Sequence, residues 1–257
     1  MTARDVFHIR LKEMELQAER IMDPSLRTRP IAIISSPQPN GTILSLSPEA
    51  EEDGLFHGMK VSVIRKMSHG VQLLPYNRSL YTRLNRYVYQ VVSMFTPTVE
   101  PDGFDGFYLD MKGMRAIRGD MQNTGMSIVQ KIREQTNISG MVGISVNKLV
   151  SRIVTSVVPE TIHEVEDGKE AQFLSPLKSP VLPVVKENSV NRLLCFLWIK
   201  QISHIQSMAR QSDEFRIFFG GYAAQLSREA RGQDSSVVKS PQLQDHVLEQ
   251  TVLPEDT

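Results

Sequence analysis

The stretch Val99-Glu100-Pro101-Asp102-Gly103-Phe104-Asp105-Gly106-Phe107-Tyr108-Leu109-Asp110 decides how this chain is read. Asp-Gly occurs in it twice, at 102–103 and 105–106, so a tight bend falls between Asp102 and Phe107, with Asp105 as a turn residue. The run from Tyr108 to Met111 then continues as a buried strand. Working outward, Val6-Phe7-His8-Ile9 and Met141 to Val146 read as two more buried strands. Asn77 to Phe95 and Asp120 to Thr136 read as amphipathic helices. Ile31 to Ser35 and Thr42 to Ser47 read as a hairpin around Pro39-Asn40-Gly41, whose Asn-Gly is expected to supply positive φ angles, with helices following at about Pro48 and Lys60. Beyond Pro176 the pattern is helical as far as Gly232. Strands alternating with helices in this way predict an α+β fold.

Composition bounds the reading without deciding it. With 257 residues, 40% of them apolar, the chain can bury a sizeable core as one large domain or two small ones. Cys195 is the single cysteine, which fits a reducing, cytoplasmic location, and its apolar neighbours predict a small core residue. No charged-then-apolar leader opens the sequence, no run approaches the length of a membrane span, and a soluble protein with no membrane partner is expected. The 29 basic and 29 acidic residues cancel, although Lys186 to Gly232 carries 7 bases against 4 acids and the tail from Gln233 carries 1 against 5. Six histidines lie at no zinc-ligand spacing, and neither a nucleophile elbow nor a Gly-rich phosphate loop accompanies the serines and aspartates.

The motif around Asp105 resembles the signature of the Y-family (UmuC/DinB-like) translesion DNA polymerases. In that family an Asp-Glu pair stands here and, with acids on the first strand, holds the two metal ions of nucleotidyl transfer. The Glu position is Gly106, and the two acidic positions of the first strand are Arg10 and Lys12. Two unit charges about 4 Å apart at an effective dielectric near 20 interact by roughly 4 kcal/mol, and a divalent ion roughly doubles that, so a cation there repels the metal. The family's Tyr-x-x-Arg triphosphate clamp aligns with Pro48 and Glu51, its later lysine with Pro159, and its aromatic steric gate with Glu15. Asp105 is the one retained metal-ligand position. The resemblance predicts a structural role for it, in a buried bridge to Arg10 whose loss would cost about 3 to 5 kcal/mol.

The rest of the pattern is similar to the family across residues 5 to 257, including Asp23-Pro24-Ser25-Leu26, Gly58-Met59, Asn147-Lys148 and Leu226 to Asp234. It implies a palm with a mixed or antiparallel sheet and helices (1–10 and 76–165), small fingers (11–75), a helical thumb (166–232), and a linker or the start of a little finger (233–257). Lys148, Arg152, Lys186 and Arg192 are the expected DNA-binding cations. The thumb's helix-hairpin-helix is degenerate, because Val184-Val185-Lys186 stand where two glycines would expose backbone N–H groups to a phosphate, leaving Lys186 as a point charge. These losses imply a catalytically degenerate member similar to the inactive subunit of bacterial mutasomes, acting in DNA repair, translesion synthesis and the SOS response. Such a protein needs no cofactor, and its implied partners are DNA held weakly and without sequence preference, a RecA-like protein and a sliding clamp. Gln242-Leu243-Gln244-Asp245-His246-Val247-Leu248 distantly resembles a clamp-binding peptide. The alternative is an active error-prone polymerase with an atypical Mg²⁺ site built on Asp105.

Overall fold

The computed structural model describes residues 5–67, 70–209 and 212–241. In chain order the elements begin with β1 (Val6–Leu11), α1 (Met14–Met22), β2 (Ile31–Ile34), β3 (Ile43–Leu46), α2 (Pro48–Glu52), α3 (Val61–Ile64), β4 (Gln72–Pro75) and α4 (Arg78–Ser93). β5 (Val99–Asp102), β6 (Gly106–Asp110), α5 (Arg115–Arg118), α6 (Met121–Thr136), β7 (Gly140–Ser145), α7 (Lys148–Val157) and β8 (Ile162–Glu164) follow. A helical run closes the chain with α8 (Glu170–Leu174), α9 (Asn188–Phe196), α10 (Ile202–Met208), α11 (Ser212–Phe219) and α12 (Ala223–Ala230).

Five strands form one sheet in the order β5-β6-β1-β7-β8, with β1 at its centre and antiparallel to both neighbours. Period two sorts the side chains of β1 between the two faces. Phe7, Ile9 and Leu11 are fully buried in one cluster with Tyr81, Val88, Val91, Val92, Ile128 and Ile132 of α4 and α6. Val6, His8 and Arg10 point to the other face, over which α7 packs. Asn77 and Asp120 cap α4 and α6 by accepting from the backbone N–H three residues on, which satisfies donors that a helix start otherwise leaves unpaired.

β3-β2-β4 form a second sheet, with β3 antiparallel and β4 parallel to β2. The β2–β3 hairpin is where it was expected, but the reason given for Gly41 is corrected. Neither Asn40 nor Gly41 has positive φ. Gly41 is required because any Cβ there would collide with the backbone oxygen of Ser36.

α7 joins the first sheet to the helical run, since Leu149, Val150, Ile153 and Val154 share a core with Leu182, Leu194, Ile202 and Leu226. Its start is fixed from both sides: Asn147 accepts from Val150 N at 3.0 Å, and Asp234 accepts from Leu149 N at 3.1 Å. Residues 234–240 run back along the sheet, where Val238 is buried with Val6 and Tyr108 and Lys239 N donates to Glu100. Cys195 is exposed, contrary to expectation, because the buried stripe of α9 runs through Val190 and Leu194 and the next residue is turned away from it. Among the described residues no helix is long and apolar enough to cross a membrane.

Candidate functional site

Register places the decisive residues side by side. Arg10 on β1 faces Gly106 on β6, and Gly106 faces Asp102 on β5. Gly103, at φ 71°, turns the chain between β5 and β6, and Asp105 ends that turn with its carbonyl accepting from Leu11 N at 2.7 Å. The turn reading of Asp105 therefore holds. Arg10 Nε lies 3.6 Å from Asp105 Oδ2, so the predicted neighbours are together. Burial is where the expectation fails: the side chains keep 47% and 43% exposure. Both groups lie near the C-terminal end of the central strand β1, and water reaches them. An exposed pair is worth at most about 1 kcal/mol. Asp105→Ala is accordingly expected to change unfolding stability by less than about 1 kcal/mol in denaturant titration, and a loss several times larger would restore the buried-bridge account.

A tighter network lies one step inward on the same face. His8 Nδ1 is 2.6 Å from Thr155 Oγ1, and His8 Nε2 is 3.2 Å from Asp102 Oδ2, which also meets Arg152 Nε at 3.2 Å. The ring packs against Tyr108 with centroids 4.7 Å apart. Lys148 Nζ sits 4.5 Å over the same tyrosine ring and binds Glu100 at 2.6 Å. Burial holds the His8 imidazole below its usual pKa against the opposing pull of Asp102, and the bond from His8 holds Asp102 below the usual carboxylate range. Burial likewise pushes the Tyr108 hydroxyl up. The two shifts describe a neutral ring donating Nε2–H to an ionised Asp102, which leaves Nδ1 as an acceptor; the one Thr155 hydroxyl proton faces both Nδ1 and the Arg152 carbonyl oxygen, 2.9 Å away on α7. Hydroxyl, imidazole and carboxylate lie in hydrogen-bonded order, as in a nucleophilic triad. His8 and Thr155 are only 2% and 4% exposed, however, so no substrate reaches the hydroxyl, and the network is structural.

Linkage gives its pH signature. A histidine whose folded pKa is lowered takes its proton first in the unfolded chain, so stability is full above about pH 6.5 and falls as pH drops below it. The slope is at most about 1.4 kcal/mol per pH unit for one proton. His8→Gln is expected to flatten denaturation midpoints between about pH 6.5 and 5, above the range in which Asp102 titrates. Parallel profiles for variant and parent would remove this assignment.

The residues present do not fit a divalent metal. A guanidinium stands beside the one carboxylate of the old motif, and Gly106 offers neither a ligand nor room for one. A Cβ at 106 would lie 2.7 Å from the Asp102 carbonyl oxygen and 3.2 Å from His8 Nε2. Among the described residues no group of three or more His, Cys, Asp or Glu side chains could hold an ion. Pro48 and Glu51 are exposed on α2, where Glu49 pairs with Arg20 at 2.8 Å; Lys12, just past β1, and Pro159, just past α7, are also exposed, and Glu15 is half-buried on α1.

The four cations expected to hold nucleic acid divide into two pairs. Lys148 and Arg152 are paired with Glu100 and Asp102, although the Arg152 side chain stays half-exposed. Lys186 and Arg192 are exposed on the helical run. At the degenerate hairpin, Val184 N donates to the buried Glu229 carboxylate at 2.9 Å, so the chain's own acid holds the backbone donor. A cleft of about 910 Å³ opens between α7 and α12, lined by Tyr108, Lys148, Arg152, Arg228, Glu229 and Asp234 among others. Its charges balance at four cations against four carboxylates, which gives no net pull on a polyanion.

Sequence reasoning passed over His8, Asp102, Tyr108 and Thr155. Strand period was the available signal for the first, since His8 is two residues from Arg10 on the same face. Thr155 gave none, because only the packing of α7 brings it there. The clamp-like peptide at 242–248 lies outside the described residues.

A family model described as impB/mucB/samB matches residues 11–156. Among curated relatives, a protein named DNA polymerase IV from Dehalococcoides mccartyi (strain 195) is 26% identical over 258 residues, covering 100% of this chain and 65% of its own length. Another of that name from Halorhodospira halophila is 27% identical over 242 residues, with coverages of 93% and 67%. The chain thus spans about 65% of the length of the first relatives it matches. Among solved structures, the Y-family DNA polymerase chimera Dbh-Dpo4(243-245)-Dbh superposes with a TM-score of 0.77 at 18% identity, over 93% of this chain and 70% of the other. DinB from Sulfolobus solfataricus gives 0.76 at 20%, over 91% and 69%. At these identities the likeness is one of fold.

Proposed function

The chain belongs to the impB/mucB/samB family, the Y-family DNA polymerases, and from that premise we propose that it is a non-catalytic member, an accessory or scaffold protein of DNA repair and translesion synthesis. One observation carries the reading: at the centre of the sheet Arg10 faces Gly106 and lies 3.6 Å from Asp105, so the metal-holding acids are replaced by a cation and a hydrogen. The names of the relatives speak for catalysis in those proteins. In this chain the positions that would carry it are changed together, and the lone half-exposed Asp105 is already paired.

On this reading residues 1–10 and 76–165 are the palm, 11–75 the fingers, 166–232 the thumb and 233–257 a linker. DNA is the first partner proposed, held through phosphates by exposed cations such as Lys186 and Arg192; a sliding clamp, a RecA-like protein and other mutasome subunits are the protein partners proposed. Binding that rests on phosphate contacts weakens steeply as salt rises and ignores sequence. Filter or anisotropy titrations of random-sequence duplex at several salt concentrations test this. Tight binding that survives high salt would overturn it.

A further inference from the structure

Exposed aromatic side chains collect at the far end of α9. Phe196 is 79% and Trp198 76% exposed. The helix ends in a Schellman arrangement, with Trp198 N donating to Cys195 O at 3.1 Å and Ile199 N to Leu194 O at 2.9 Å. That motif puts its C′ residue in the left-handed region, and Trp198 has φ 55°. Glycine is the residue that takes this conformation without a steric penalty, so a bulky indole is held where a side chain is disfavoured and nothing in the core benefits. An observed strain of this kind points to function. Lys200 Nζ lies 5.1 Å from the indole centroid, and Arg192, four residues before Phe196, shares its side of α9. From 188 to 209 the sequence has no Asp or Glu.

We propose that Phe196 and Trp198 form a stacking platform for the unpaired bases of single-stranded nucleic acid, with Arg192 and Lys200 meeting the adjacent phosphates. This rests on the DNA-binding reading above and names a different means of holding it. Two protruding rings flanked by cations, rather than a groove, favour bases over a peptide: a base needs only a flat face, whereas a peptide needs a recess. Duplex DNA keeps its bases stacked on one another and cannot use the platform. The site is also separate from the hairpin turn at Val184, where Glu229 already holds the backbone donor.

Trp198 is the only tryptophan in the chain, so its emission reports on the site directly. Titration with single-stranded oligothymidylate is expected to quench it in a salt-sensitive way, whereas a duplex of equal length leaves it unchanged. In anisotropy measurements with a labelled oligothymidylate, Phe196→Ala and Trp198→Gly should each weaken binding by roughly 5- to 150-fold, the range for losing one base–aromatic stack. Trp198→Gly should keep or raise the thermal midpoint, because glycine suits φ 55°. Unchanged single-strand affinity in Trp198→Gly would overturn the platform while leaving DNA binding intact. Quenching by polyglutamate instead of oligothymidylate would reassign the rings to a protein partner. Loss of all DNA binding by the parent protein would overturn the DNA reading itself.

Discussion

Given a primed template, all four deoxynucleotides and either magnesium or manganese, the purified protein is expected to add no nucleotide above background. Nucleotidyl transfer needs two cations held between carboxylates, and here the central register pair is Arg10 and Gly106. A unit positive charge about 4 Å from a divalent ion is unfavourable by on the order of 8 kcal/mol at an effective dielectric near 20. Each 1.4 kcal/mol is about tenfold in rate, which makes the expected deficit roughly six powers of ten before any loss of triphosphate contacts is added. Restoring the family's acids should fail as well. Glu at position 106 brings a Cβ to 2.7 Å from the Asp102 carbonyl oxygen, a backbone atom fixed by its own strand, so Arg10→Asp, Lys12→Asp and Gly106→Glu together should overpack the site by about 1 to 3 kcal/mol. Gel-resolved primer extension with a melting curve on the same samples reads both effects. Extension by the parent protein that disappears in Asp105→Ala would establish an active polymerase.

The contrast between what could and could not be read from the chain follows the distance over which each feature is encoded. The strands at Val6, Tyr108 and Met141 and the helices over 78–93 and 121–136 were legible because apolar periodicity and caps are local. The pairing of Arg10 with Asp105 was legible through the resemblance, but its burial was not. Exposure at the end of β1 depends on what covers that strand, and no residue near Arg10 in sequence says what does. Gly41 shows the same limit in miniature: the turn was found and its cause mistaken, since the close approach of Ser36 is a three-dimensional fact. The inner network needed three separate segments, β1 for His8, the β5–β6 hairpin for Asp102 and Tyr108, and α7 for Thr155 and Arg152. Its occupancy of the space beside Gly106 is also why any side chain at that position is expected to overpack the site.

Removing the Arg115 guanidinium is expected to be the most destabilising single change in a charged residue of this chain. Asp5 enters β1 with its side chain only 6% exposed and accepts two bonds from Arg115, Nε to Oδ2 and Nη2 to Oδ1, both at 2.8 Å. The same Nη2 reaches Glu164 on the edge strand β8 at 3.0 Å, so one fork ties the central strand, α5 and the sheet edge together. These charge-assisted bonds push the Arg115 pKa further up. Arg115→Met strands the buried Asp5 carboxylate beside Glu164; since the Arg115 side chain is itself half-exposed, water fills part of the gap and the cost is about 1 to 3 kcal/mol. For a chain of this size that lowers the thermal midpoint by about 5 °C. Arg115→Lys should recover only part of it, because an ammonium cannot bond both Asp5 oxygens in one plane. Asp5→Leu combined with Arg115→Met should lose less than Arg115→Met alone, since the penalty lies in the stranded buried charge more than in the absent bridge. Equal losses in the single and double variants would locate the stabilisation in the strand's packing and not in the fork. The comparison with Asp105→Ala is then the internal control: the same ion-pair chemistry, half-exposed at the end of β1, should be worth at most about 1 kcal/mol.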